Sequence, residues 1–166
     1  MEKVIVIVHA ILKIKGFNAD INRVLSTLDL DKGIWNCEQI IPLNTQEEDE
    51  IEMWNKWGCL NKPQILSLQH LDGKTKNIKS ILLKISCKTD KYPKQIVEYL
   101  INKYPMFIDV IYGSKHRNIC GVDRYENEDY YLQETIVRGH YREEICRRLW
   151  DEPREDHCQT NLNFDQ

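Results

Sequence analysis

From Val4 to Lys15 apolar and polar positions alternate. Val4, Val6, Val8, Ala10, Leu12 and Ile14 form a wholly apolar set, while Ile5, Ile7, His9, Ile11, Lys13 and Lys15 turn polar towards the end. A period of two with β-branched residues predicts a strand whose first set faces a core. Gly16 is expected to break it. Asn18 then suits a helix N-cap, and Ile21, Val24, Leu25 and Leu28 make one helical stripe. Asp31-Lys32-Gly33 turns the chain into a second strand over Ile34–Ile41, ended by Pro42.

The pattern then changes period. Thr45-Gln46-Glu47-Glu48 reads as a capping box, and the acids 47–50 suit the positive end of a helix dipole. The helix is expected to run through Trp57, with Ile51/Trp54 and Met53/Trp57 at helical spacing. Residues 58–78 show only a weak apolar piece (Ile65, Leu66, Leu68) and the turn Asp72-Gly73-Lys74, and no element is assigned to them. Ile81, Leu83, Ile85 and Cys87 alternate as a third strand. Pro93 opens a helix striped by Ile96, Val97, Leu100, Ile101 and Tyr104; Pro105 ends it, and Phe107–Tyr112 is a fourth strand. A hairpin follows, Cys120–Tyr125 with Tyr130–Arg138, then a helix over Tyr141–Trp150.

This order predicts an α+β fold: a ferredoxin-like split βαβ with a four-stranded antiparallel sheet. A helical insertion follows strand 2, and the C-terminal hairpin plus helix extends the sheet or covers its second face. One domain is expected over residues 1–152, with a polar tail over 153–166.

Composition narrows the class without naming an activity. The chain of 166 residues is 42% hydrophobic and 30% charged, as a soluble globular domain is. Its net charge of −3 is unevenly spread: residues 61–117 hold 11 basic and 4 acidic side chains, whereas both flanks are acidic. The basic block fits internal charge complementarity, a phosphate backbone or an acidic partner. No stretch reaches the roughly 20 apolar residues a membrane span needs. With no export signal and no Cys-x-x-Cys pair, the six cysteines read as reduced thiols in a cytosol.

Trp54-Asn55-Lys56-Trp57-Gly58 is the most distinctive cluster. Together with Cys37-Glu38-Gln39-Ile40-Ile41-Pro42-Leu43, Cys87-Lys88-Thr89, Tyr104-Pro105 and Cys120-Gly121, it resembles the YubB-type ferredoxin-like family over roughly His9 to Asp129. That family occurs on plasmids, phages and pathogenicity islands and has no established activity. The resemblance implies the fold and a mobile-element origin, and it carries no catalytic residue. Two departures stand out. Cys59-Leu60-Asn61 replaces the family's usual Thr-Lys-Trp, and Thr89-Asp90-Lys91-Tyr92 replaces an aromatic-rich turn.

Chemistry-bearing patterns are sparse. His116 and Cys120, His140 and Cys146, and His157-Cys158 supply soft ligands, but without the paired knuckles of a zinc site. Cys59, after the Trp-Gly helix end, is the sole suggestive nucleophile, and no histidine lies near it in sequence. Phosphate-loop, dinucleotide and metalloprotease motifs are absent. The reading is therefore a cytoplasmic, non-enzymatic domain with no cofactor and no metal. It would bind a host or defence-system protein stoichiometrically, as an anti-defence inhibitor does, through Trp54, Lys56 and Trp57. The alternative is a nucleic-acid-binding module using Lys84, Lys88 and Lys91 of the basic segment, although stacking rings look scarce on the first strand's second face.

Overall fold

The structure is a computed structural model that describes residues 5–45, 49–71, 73, 75–127 and 131–153. Strand β1 spans Val6–Phe17, and Val8, Ala10, Leu12 and Ile14 are at most 1% exposed, as the alternation requires. The strand runs through Gly16 and does not break there. A Cβ at Gly16 would come 3.1 Å from the Met106 Cβ, so this glycine admits the neighbouring strand. Helix α1, Asn18–Ser26, buries Ile21 and Val24. Its N-cap is Phe17, and the Asn18 side-chain Nδ2 instead donates to the Lys76 carbonyl at 3.3 Å.

Leu28 leaves the predicted helical stripe to enter β2, Leu28–Asp29, which pairs with β3, Ile34–Trp35. Asp29 Oδ1 accepts from the Lys32 amide at 3.1 Å, and Gly33 takes φ 66° in the turn. The strand expected over Ile34–Ile41 stops at Trp35, because Cys37–Gln39 coils into a 3-10 turn. Helix α2, Glu50–Trp57, is capped by Asp49, whose Oδ1 accepts from the Ile51 and Glu52 amides at 2.9 and 3.3 Å. Residues 46–48 of the expected capping box lie outside the described residues. Gly58, at φ 80°, ends the helix as its sequence position suggested.

A full strand, β4 (Gln64–Leu71), occupies the stretch to which no element was assigned. Its register against β5 (Ile78–Thr89) shifts between Ile65 and Ser67. That bulge destroys the alternation by which the strand would have been read. Helix α3 (Lys94–Lys103), β6 (Met106–Ser114), β7 (Cys120–Glu126), β8 (Tyr131–Ile136) and α4 (Gly139–Leu149) complete the described elements. Pro93 stands at the N-cap of α3, one place before the first turn.

Among the described residues, eight strands form one antiparallel sheet in the order β2-β3-β4-β5-β1-β6-β7-β8. The predicted four-stranded sheet is too small: the β2–β3 hairpin extends one side, and the β7–β8 hairpin extends the other. The α1 and α3 residues Ile21, Val24, Ile96, Val97, Leu100 and Ile101 join one apolar core with Val8, Leu12, Leu83, Ile85, Ile108 and Val110. The second face is covered by α4, but only over part of its area. There Ile145 and Leu149 pack with Ile11, Ile111, Cys120 and Val122. Of the expected tail, all but Pro153 lies outside the described residues. No helix among the described residues is long and apolar enough to cross a membrane.

Candidate functional site

The tryptophan cluster divides into separate roles. Trp57 is fully buried, and its indole N–H donates to the Ile41 carbonyl at 2.9 Å. It is a core residue with no surface open to solvent. Lys56 turns back to the Pro42 carbonyl at 2.9 Å and lies 3.7 Å from Glu52, bracing the chain before α2. Trp54 is half-buried, with Ile51 three-quarters exposed one turn earlier. Beside Gly58, Cys59 is buried and its thiol is pushed up to about 12 by that burial. Burial thus favours the protonated thiol over the nucleophilic thiolate at neutral pH.

The three lysines proposed for phosphate contact do not share a surface. Lys84 and Lys88 stand on the second face of β5. Lys84 is 12% exposed, with Asp151 3.2 Å away, and Lys88 is open to solvent. Lys91 belongs to the opposite side. Its ammonium lies 2.6 Å from Asp123 Oδ2 and 3.3 Å from Glu134 Oε1, over the rings of Tyr92 and Tyr112.

Around Lys91 lies a buried network that the sequence reading missed. The Tyr92 hydroxyl donates to Asp123 Oδ2 at 2.5 Å and meets the Tyr125 hydroxyl; Asp123 is fully buried. Burial pulls the Lys91 ammonium down, but the hydrogen bond to Asp123, the Tyr112 phenol and Glu134 raise it above an ordinary lysine. Burial, then the neighbouring Asp123 charge, lift the Tyr112 phenol to about 12, and burial lifts Tyr92 further. Lys91, Tyr92 and Tyr112 thus keep their protons through the neutral range. The cluster ties the β5–α3 loop to β7 and β8. Its signal was readable: Asp123 shares its parity on β7 with the inward-facing Gly121 and Tyr125, a charged residue at a core position.

The second face of the sheet offers the available surface. Register aligns Ser80, Lys15, Phe107, Glu126 and Tyr131 across five strands, and next to them Leu82, Lys13, Asp109, Arg124 and Gln133. Helix α4 packs on the following level, at Ile11, Ile111 and Val122, and among the described residues Lys15, Phe107, Arg124, Glu126 and Tyr131 of these two levels are exposed. Phe107 is 51% exposed, Phe17 52% and Tyr131 53%. Phe17 and Phe107, with Lys15, Ile78, Pro105 and Asn127, line a hollow of about 210 Å³. Arg124 lies 3.5 Å from Asp109. Burial raises the Asp109 carboxyl above the usual range, against the pull of Arg124 and Lys13. The rings that looked scarce on β1 stand on its end and on β6 and β8, where an aromatic on the polar side of a strand was the signal.

Among the described residues, no group of three or more His, Cys, Asp or Glu could hold a metal ion. His157 and Cys158 lie outside the described residues. Compared with protein-family models, curated proteins and solved structures, the chain matches none.

Proposed function

We propose that this chain is a non-catalytic binding domain that docks a protein partner on the uncovered half of its sheet. The observation that carries this reading is the pair Phe17 and Phe107, each half-exposed and together walling one apolar hollow. Exposed aromatics around a recess are the usual anchors of protein recognition. Charge on this face is mixed. Lys13, Lys15 and Arg124 stand among Asp109 and Glu126, with Arg124 turned to Asp109. Such a surface complements a protein of mixed charge better than a polyanion, whose affinity needs unopposed cations. The nucleic-acid alternative is weakened because Lys84 and Lys91 are each occupied by carboxylates.

Two finer readings go with it. The strands β4-β5-β1-β6, linked through α1 and α3, follow the connectivity of a split βαβ, so we read the sheet as a ferredoxin-like centre widened on both sides. The YubB-type resemblance supports a mobile-element origin and a host or defence-system protein as partner, met in the host cytoplasm. The test compares the wild type with Phe107→Asp in a tagged pull-down from host lysate, with and without nuclease. One stoichiometric protein that survives nuclease and is lost with Phe107→Asp supports the reading. Recovery of nucleic acid alone, abolished by nuclease, overturns it in favour of the alternative.

A further inference from the structure

Of the described cysteines, Cys37, Cys59, Cys87 and Cys146 are buried, whereas Cys120 is partly exposed. The first three lie within the main apolar core. Cys120 and Cys146 belong to a separate place, the seam where α4 meets the sheet. Cys120 opens β7, and the residue directly across from it on β6 is Gly113. A Cβ at position 113 would stand 2.7 Å from Cys146 Sγ. The bare glycine therefore makes the room in which Cys146 lies, beside the cross-strand neighbour Cys120. The Cys120 sulfur lies 3.9 Å from the Arg142 carbonyl, one helical turn before Cys146. The two thiols are near enough to perturb one another's titration.

Their surroundings differ in a way that assigns roles. The neighbouring Cys146 lowers the Cys120 thiol below its ordinary value; burial opposes this, and the Arg142 and Arg117 guanidinium groups add to it. The neighbouring Cys120, then burial, raise Cys146 far above that value. Arg117 is itself fixed at this seam. It contacts Glu143 at 2.9 Å and also Glu152, while its carbonyl accepts from Arg142 Nε at 2.6 Å. A partly exposed, cation-flanked thiol backed by a buried second thiol is the arrangement of an attacking and a resolving cysteine.

We propose that Cys120 and Cys146 form a reversible dithiol–disulfide pair, reached by hydroperoxides at Cys120, whose closure fastens α4 to the sheet. The Cys120 thiolate attacks a peroxide oxygen, and the O–O bond breaks. The departing oxyanion takes a proton, and Cys120 becomes a sulfenic acid. Cys146 then gives up its proton as its sulfur attacks Cys120; the S–O bond breaks and the hydroxide leaves as water. Two thiols lose two electrons, and hydrogen peroxide becomes two waters. A thiol reductant reverses the bond by exchange. The proposal is independent of what docks on the uncovered face, although α4 forms one border of that face.

The full chain, fully reduced, is treated with hydrogen peroxide, quenched by alkylation and mapped by mass spectrometry without reduction. The expected product is a Cys120–Cys146 cross-linked peptide that disappears on adding dithiothreitol. Cys120→Ala should yield neither the link nor a dimedone adduct. Cys146→Ala should halt at a Cys120 sulfenic acid that dimedone captures. Circular dichroism checks the folding of both variants, and the wild-type map decides by itself where Cys146→Ala does not fold. A Cys120 that stays reduced, or that links to Cys158 or to another chain instead, overturns the proposal.

Discussion

The imidazole of His9 lies flat on the indole of Trp150, with ring centroids 3.6 Å apart and 10° between the planes. His9 Nδ1 is 2.9 Å from the Leu149 carbonyl, so the neutral ring donates to the end of α4. This stack joins the central strand to the helix that covers part of the second face, and it makes that junction sensitive to pH. Burial lowers His9 below its ordinary value of 6.5; the hydrogen bond to Leu149 raises it, Lys84 lowers it and Asp151 raises it. The unfolded chain therefore takes up this proton first as pH falls. The stabilisation is complete above 6.5 and is lost as pH drops from there through the lower folded value. Urea unfolding on either side of that window should show the wild type weakening on acidification. His9→Phe, which keeps a ring on Trp150, should weaken less. Equal pH responses of the two proteins would refute the assignment.

Trp57 and Trp54 sit one helical turn apart and should respond differently to truncation. Trp57→Ala removes a fully buried ring and strands the Ile41 carbonyl, and should cost about 3–5 kcal/mol. Trp57→Phe keeps most of the packing and loses the indole donor, for a loss of about 1–3 kcal/mol. Trp54→Ala, at a half-buried position, should cost about 1 kcal/mol. Equilibrium denaturation measures all three. A cost at Trp54 equal to that at Trp57 would contradict the division between core and surface.

How far the sequence could be read depended on whether each pattern had a single physical cause. Strand β1, helix α3 and the Gly58 helix end were legible because burial and backbone geometry acted alone there. Strand β4 was hidden by its bulge at Ile65–Ser67, which places two residues on one strand against one on the next. The apolar Ile34–Ile41 looked like a strand because Ile40 and Cys37 are buried, yet they are buried from a 3-10 turn. The site suffered from the same ambiguity. Tryptophans at helical spacing do not say which one faces inward. Lys84 and Lys91 are neighbours in a basic run but point to opposite sides of the sheet, and the carboxylates that hold them, Asp151 and Asp123, come from distant elements.

The Lys91–Asp123 pair should prove more costly to break than to delete. Lys91→Met leaves the Asp123 carboxylate buried without its countercharge and should lose about 3–5 kcal/mol. Adding Asp123→Asn to that variant removes the stranded charge and should restore part of the loss. Tyr92→Phe removes one of the donors to Asp123 and should cost about 1 kcal/mol. A double-mutant cycle by denaturation reads the coupling, and strictly additive losses would show that the two residues do not act as a pair.

Gly58 is the position at which the helix end seen in the sequence meets the packing seen in the structure. At φ 80° its backbone is left-handed, and an L side chain there costs roughly 1–2 kcal/mol before any contact is made. A Cβ would also come 2.9 Å from the Lys94 backbone nitrogen and closer still to the Gln95 side chain, at the first turn of α3. The glutamine tip can swing away, whereas the helix backbone cannot. Gly58→Ala should therefore cost more than the backbone strain alone, and it should displace α2 relative to α3. Gly33→Ala is the control: it has a similar φ of 66° and nothing within 4 Å, so it should show the strain cost by itself. Melting curves of the two variants separate the contributions, and equal losses would mean that the contact with α3 gives way without resistance.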